Sequence, residues 1–326
     1  MLLVTGGAGF IGSNIVASLN EAGRSDIVVN DSLGSDGKWR NLQKRQLADL
    51  VRPDDLMAWL EGRKLDAVVH LGAISDTTAT DGDLVIAANF RRSLQLLDWC
   101  TDTRTPFIYA SSAATYGDGA AGFVDDWSPA GLKRLRPMNL YGWSKHLFDL
   151  AVVDRFAKQQ KLPPQWAGVK FFNVFGANEY HKGAMMSVVA KVFDGAKAGN
   201  PVRLFKSHRD GVADGQQMRD FIYVNDAVRV VEWLLGTPAA CGIFNVGTGK
   251  ARSFRDMIVA MFSALGREPA IEYVDMPEQI RDSYQYFTEA STENLRRAGY
   301  ATPFACLEDA VRHYVTDYLD CADRYR

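Results

Sequence analysis

The stretch NLYGWSKHLFD, Asn139–Asp149, sets Tyr141 and Lys145 at i and i+4. In a helix that spacing puts both side chains on one face, a turn apart. A free phenol titrates near 10 and is a poor base at neutral pH, so lowering it by ~3 units asks for about 4 kcal/mol of preferential stabilisation of the phenolate. An ammonium one turn away supplies part of that through its charge. Upstream, YASSAATYG closes an apolar run with Ser111 and Ser112, and the second hydroxyl can hold a substrate oxygen while the phenolate takes its proton. A third group stands alone. In NEYHKGAMMS, Asn178–Ser187, Lys182 lies between His181 and Gly183 in a polar stretch just after an apolar run.

TGGAGFIGSNIV follows the first apolar run directly and opens an amphipathic segment, with Gly6, Gly9 and Gly12 spaced as GxxGxxG. Such a turn lets backbone approach a pyrophosphate, and the helix N-terminus behind it offers free N–H groups and a positive dipole end. Asp31 ends the second run, about 20 residues beyond the glycines, where a carboxylate accepts from an adenosine ribose. These features point to a nicotinamide dinucleotide, whose positive ring adds to the Lys145 ammonium in favour of a Tyr141 phenolate. Asp31 alone favours NAD by repelling a 2′-phosphate, whereas Lys38 and Arg40 in SDGKWRN can neutralise that phosphate. The expectation is NADP, with NAD as the alternative.

These groups need a scaffold, and the first half of the chain supplies its rhythm. Short apolar runs at Leu2–Thr5, Asp26–Asp31, Ala67–Ala73, Pro106–Ser112 and Trp166–Phe172 are separated by segments of helical length. Runs buried on both faces and joined this way predict an α/β fold, a doubly wound parallel Rossmann sheet. Asp220–Asp226 and Gly242–Gly247 read as further strands. Residues 1–173 and about 220–248 are expected to form the dinucleotide-binding domain. Residues from about 174 to 219 and 249 to 326 form a smaller, discontinuous C-terminal α/β substrate lobe. The glycine-bearing polar stretch Lys206–Met218 reads as a mobile loop.

Composition narrows the partners. A formal charge of -2 over 326 residues, without a block of like charge, gives no footprint for nucleic acid or an anionic membrane. Four cysteines lack a CxxC pair and five histidines lack ligand spacing, so no disulfide framework or metal site is expected. MLLVTGGAGF has no basic leader, and no later apolar stretch approaches the roughly 20 residues that span a bilayer. The expected location is the cytoplasm.

VTGGAGFIGSNIV, ASSAATYG, YGWSK, FFNVFGANEYHKGAMMS, RDFIYV, GIFNVGTGKARSF and YQYFTEAS occur in that order along the chain. With them the chain resembles the extended short-chain dehydrogenase/reductases of the nucleotide-sugar epimerase and dehydratase group. The first and third are shared across that superfamily. EYHKGAMMS and GIFNVGTG are narrower, and are similar to the branch that inverts C6 of ADP-glycero-manno-heptose on the route to lipopolysaccharide core. The resemblance implies a tightly bound cofactor regenerated in each cycle, a transient 6-aldehyde, and a homo-oligomer.

If a hydride is removed and returned to the opposite face of the carbonyl, the substrate must turn, because the nicotinamide stays where it is. Rotation about an exocyclic bond swings the oxygen away from the first proton acceptor, so a second acid/base is needed. Lys182 is the residue the resemblance assigns to it, beside Tyr141, Lys145 and Ser112. A ring 4-epimerase has no use for that lysine, a 4,6-dehydratase would carry an Asp-Glu pair where AAT follows Ser112, and intact Tyr141 and Lys145 argue against a non-catalytic relative. By the same carry-over Phe10, Ile11, Ser32, Leu71, Gly72, Ala73, Ser75, Asn89 and Val174 join the glycines, Asp31, Lys38, Lys145 and Lys182 at the cofactor. Asn173, Ala184, Lys191, Phe205, Arg219 and Tyr284 join Ser112 at the sugar nucleotide, with Arg219 opposite the pyrophosphate. The chain departs from the family where Pro53, next to Arg52, replaces a basic residue, and in the length of the Lys206–Met218 loop.

Overall fold

The computed structural model describes residues 1–281 and 284–326. In chain order its strands are β1 (Leu2–Thr5), β2 (Ile27–Asn30), β3 (Asp49–Val51), β4 (Ala67–His70), β5 (Phe107–Ser112), β6 (Trp166–Phe171), β7 (Asn173–Phe175), β8 (Val202–Phe205), β9 (Met218–Arg219), β10 (Phe221–Tyr223), β11 (Gly242–Val246), β12 (Arg252–Ser253) and β13 (Ile271–Val274). Seven of them form one sheet in the order β11-β6-β5-β4-β1-β2-β3, with every neighbouring pair parallel. Strand order reverses between β1 and β4, so the carboxyl ends of those strands flank the crevice where doubly wound sheets bind ligands.

The sheet is covered on both sides, which is why its strands read as continuous apolar runs. Alternation along each strand divides the core in two. Leu2, Val4, Val29, Val69 and Ile108 pack on one face, with the Phe10–Glu21 and Val224–Leu235 helices contributing Ile15, Val16 and Val231. Leu3, Val28, Val68, Phe107 and Tyr109 pack on the other, with Phe148, Val152 and Val153 of the Leu140–Ala157 helix. That helix starts where Asn139 accepts from Gly142 N through its side chain at 2.8 Å. Gly142 also brings the helix against the end of β5, because a Cβ there would lie 2.6 Å from Ala114 O. The close approach holds Tyr141 beside Ser112.

The five early runs form β1, β2, β4, β5 and β6, and Gly242–Gly247 forms β11. The run expected at Asp220–Asp226 is shorter: β10 ends at Tyr223, the helix begins at Val224, and β10 pairs with β7 outside the main sheet. Residues 174–219 and 249–326 contain the parallel pair β8 and β13 and the helices Val188–Lys197, Phe254–Ala264 and Leu307–Tyr314. Within Lys206–Met218, His208 N donates to Tyr286 Oη at 2.9 Å and Lys206 pairs with Asp275. No helix among the described residues is long and apolar enough to cross a membrane.

Candidate active site

At the carboxyl end of β1 the chain turns tightly into the Phe10–Glu21 helix. Gly12 permits the turn, since a Cβ there would lie 2.2 Å from Gly6 O. No side chain caps this helix, its first turn carries no acid, and the amides of Phe10, Ile11 and Gly12 have no partner among the described residues. Three uncapped N–H groups at a positive helix end fit a pyrophosphate. At the end of β2, Asp31 Oδ2 accepts from Ala8 N at 2.9 Å, which locks the carboxylate to the glycine turn and leaves it acceptor capacity for a ribose hydroxyl. Lys38 Nζ lies 2.6 Å from Asp31 Oδ1 and 3.2 Å from Ser32 O. The residues present therefore fit a dinucleotide.

A cavity of about 340 Å³ runs from this turn to the ends of β4 and β5. Gly6, Gly9, Phe10, Ile11, Gly12, Asp31 and Lys38 line one part, Leu71, Gly72, Ala73 and Ser75 another, and Ser112, Tyr141, Lys145, Val174 and Lys182 a third. Two residues expected at the cofactor do not line it. Ser32 is exposed beside Asp31, to which its amide donates at 2.8 Å. Asn89 is fully buried behind the wall, where it accepts from Ile74 N, donates to Ile74 O and donates to Ser144 Oγ at 2.9 Å. It joins the loop after β4 to the Leu140–Ala157 helix.

Tyr141 and Lys145 project from one face of that helix into the cavity. Burial pushes the Tyr141 phenol up, and the Ser112 hydroxyl opposes it. Lys145 is 3% exposed. Burial pulls its ammonium from 10.5 down to about 8, against the attraction of Asp149 one turn further on. Asp149 is the centre of a buried network that the sequence did not reveal. It accepts from Lys170 Nζ at 2.6 Å, Ser111 Oγ at 2.7 Å and Tyr109 Oη at 3.1 Å, with both charged side chains at 1% exposure or less. Lys170 Nζ donates to Thr115 Oγ1 at 2.7 Å as well. Both serines at the end of β5 line the cavity, but the Ser111 hydroxyl is tied to the carboxylate underneath.

Lys182 enters from the opposite wall, on the Tyr180–Met185 segment after β7. Gly183 has φ 52° and ψ −120°, a backbone an L side chain rarely adopts, and it reverses the chain directly after the lysine. Lys182 Nζ sits 5.3 Å from the centre of the Phe10 ring. Burial lowers its ammonium, Glu179 opposes that, and Lys191 adds to it. His181 also lines the cavity and meets Asn41 Nδ2 through Nδ1 at 3.2 Å.

A second cavity, of about 530 Å³, adjoins the first and shares Phe172, Val174, Lys182 and Met185 with it. Asn173, Lys191, Phe205 and Tyr284 line it. Arg219 is buried behind this wall, its guanidinium 5.2 Å from the Tyr284 ring centre and 5.6 Å from that of Phe254. Ala184 lines neither cavity, for the turn at Gly183 carries it away. Met185, Thr77 and Phe172 are wall residues missed in the sequence, where nothing separates them from ordinary apolar or loop positions. The geometry is that of a two-chambered site, with Tyr141 and Lys145 in the first chamber and Lys182 at the opening that the two chambers share.

A model of the NAD dependent epimerase/dehydratase family matches residues 2–247. The chain belongs to that family. As a member it takes a pyridine nucleotide, in keeping with the uncapped helix and Asp31. A Nitratidesulfovibrio vulgaris protein named ADP-L-glycero-D-manno-heptose-6-epimerase is 50% identical over 100% of both chains. A Fusobacterium nucleatum protein of the same name is 44% identical, again over 100% of both. The crystal structure of the Helicobacter pylori ADP-L-glycero-D-manno-heptose-6-epimerase superposes with a TM-score of 0.79 at 29% identity, covering 97% of this chain and 95% of that one.

Proposed function

We propose that this protein inverts C6 of the heptose in ADP-glycero-manno-heptose, from the D-glycero to the L-glycero form, through a transient 6-aldehyde and with NADP as cofactor, in lipopolysaccharide core precursor synthesis. The observation that carries the reading is Lys182, which lines both cavities and faces the chamber that Tyr141 and Lys145 line from the other side. The full-length relatives named for this activity support it.

The bound nicotinamide supplies a hydride acceptor and donor; the protein handles the proton and the turn. In one epimer the 6-hydroxyl meets Tyr141, held by Ser112, and the phenolate takes its proton as the carbonyl forms. Lys145 favours that phenolate as a neighbouring ammonium, and its pKa of about 8 keeps it mostly charged at neutral pH. The aldehyde then turns about its exocyclic bond until its oxygen faces Lys182. The Lys182 ammonium gives a proton to that oxygen as the carbon is reduced on its other face. One proton has thereby moved from lysine to tyrosine, and it must return before the next turnover in the same direction. The second cavity, with Lys191 and Arg219 near it, suits the anionic diphosphate, and residues 174–219 and 249–326 form the substrate lobe.

NADP is favoured over NAD because Lys38 pairs with Asp31, so the charge that would repel a 2′-phosphate is already balanced. The same reading makes the enzyme a cytoplasmic homo-oligomer. Purified protein should interconvert the two ADP-heptose epimers without added reductant and leave UDP-glucose unchanged. Epimerisation of UDP-glucose with none of the heptose would overturn the assignment.

A further inference from the structure

We propose that Glu179 positions Lys182: one buried carboxylate fixes the loop on both sides of that lysine and sets its charge. The proposal rests on the two-base reading above. Glu179 is 1% exposed. Its Oε1 accepts from Gly176 N at 3.3 Å, Ser187 Oγ at 2.7 Å and Tyr314 Oη at 3.1 Å, while Oε2 accepts from Ser187 N at 2.5 Å. Its own carbonyl accepts from Lys182 N at 3.0 Å. The side chain therefore joins residue 176 to residue 187 across the stretch that carries Lys182, and anchors that stretch to the Leu307–Tyr314 helix. Ser187 is also the N-cap of Val188–Lys197, the helix that bears Lys191.

The bonding pattern favours the ionised form. Burial raises the Glu179 carboxyl overall, against the donated bonds; the two backbone N–H groups, one on each oxygen, can only donate, and so match the carboxylate. The resulting charge faces Lys182 and Lys191, which burial lowers and Glu179 raises. Tyr180 and Tyr314 feel the same carboxylate, Arg324 lies beyond them, and His181 lies on the far side of Lys182. One carboxylate against two ammoniums leaves a single positive charge on that wall, so Lys182 can exchange a proton while Lys191 stays available to an anion.

The test is single-turnover reduction of the bound cofactor in the holoenzyme by each C6 epimer separately, as a function of pH. In Glu179→Gln, the epimer served by Lys182 should react about tenfold more slowly at its optimum, a fraction of a full acid/base contribution. The limb of its profile set by Lys182 should move to lower pH, because the neutral amine is no longer opposed by a carboxylate. The epimer served by Tyr141 should keep its rate, and Glu179→Asp should restore much of the loss. Equal slowing of both epimers, or a limb that does not move, would overturn the proposal and reduce Glu179 to a loop anchor. Tyr314→Phe, which removes one donor and keeps the charge, should move that limb slightly to higher pH, because one hydroxyl fewer offsets the carboxylate; an unmoved limb, or one that moves down, counts against the proposal even if Glu179→Gln does not fold. Lys182→Met separates the two claims. If it splits the epimers and Glu179→Gln does not, this inference alone fails; if it affects neither, the two-base reading fails with it.

Discussion

The two walls of the site each carry a titratable group, to which the proposed mechanism gives an acid/base role, and they hold it by different means. Tyr141 and Lys145 stand on an 18-residue helix that is side-chain capped, buried along one face and braced by the Asp149–Lys170 pair against β5 and β6. Lys182 stands on a six-residue segment with a backbone reversal at Gly183, and hydrogen bonds from separate elements do the work that a helix does opposite. The tyrosine wall follows from regular secondary structure, so spacing alone locates it. The lysine wall follows from tertiary contacts. On the proposed reading, the group that meets the substrate oxygen only after a bond rotation stands on the loop, and the group that meets it first stands on the helix.

The largest effects should come from removing either group. Tyr141→Phe and Lys182→Met should each lower epimerase turnover by about 10³-fold, within the usual range for general acid/base catalysis. Coupled steady-state assays measure it, and full activity in the lysine variant would remove one side of the comparison. Next comes the brace. Asp149→Asn leaves Lys170 charged and unpaired in the core and should cost about 3–5 kcal/mol in denaturant unfolding. A much smaller loss would mean that the network is not what stiffens the tyrosine wall.

Lys145 offers a test by pH. Its ammonium is depressed from 10.5 to about 8, so between those values the unfolded chain holds a proton that the folded chain has released. Stability from this group therefore rises with pH across that window, by roughly 3 kcal/mol, and below about pH 8 the cost of the buried charge is present in full. Lys145→Met should lose that rise relative to the parent protein; unfolding curves at matched pH, compared between the two, isolate it from the tyrosines that titrate nearby. The smallest effect should come from Lys38→Ala. A charge-assisted hydrogen bond is worth ~1.5–3 kcal/mol, so NADP binding should weaken by roughly tenfold or more while NAD binding changes little.

Local patterns were legible in the sequence. β1, β2, β4, β5 and β6 are buried on both faces and so read as unbroken apolar runs. GxxGxxG, Asp31 and the Tyr141–Lys145 spacing are fixed by the geometry of one turn or one helix. β3 escaped notice because it is a three-residue edge strand whose Asp49 and Leu50 face solvent. β7 escaped because it is three residues long and begins right after Phe172, where the fifth run was read to end. Asp149 and Lys170 are unremarkable as letters; only the packing of the Leu140–Ala157 helix on β6 brings them to 2.6 Å. Glu179 lies inside NEYHKGAMMS, yet its partners lie as far away as Tyr314, so no spacing rule marks it. The resemblance carried Asn89 and Ser32 to the cofactor, while the structure buries Asn89 behind the cavity wall and leaves Ser32 exposed beside Asp31.

The account depends on each C6 epimer having its own proton acceptor. Stopped-flow reduction of the bound cofactor, with either epimer as reductant, should give a crossed pattern in two variants: Tyr141→Phe fails with one epimer and reacts with the other, and Lys182→Met does the reverse. Loss of both half-reactions in Tyr141→Phe, with both retained in Lys182→Met, would contradict it and leave the tyrosine to serve both faces.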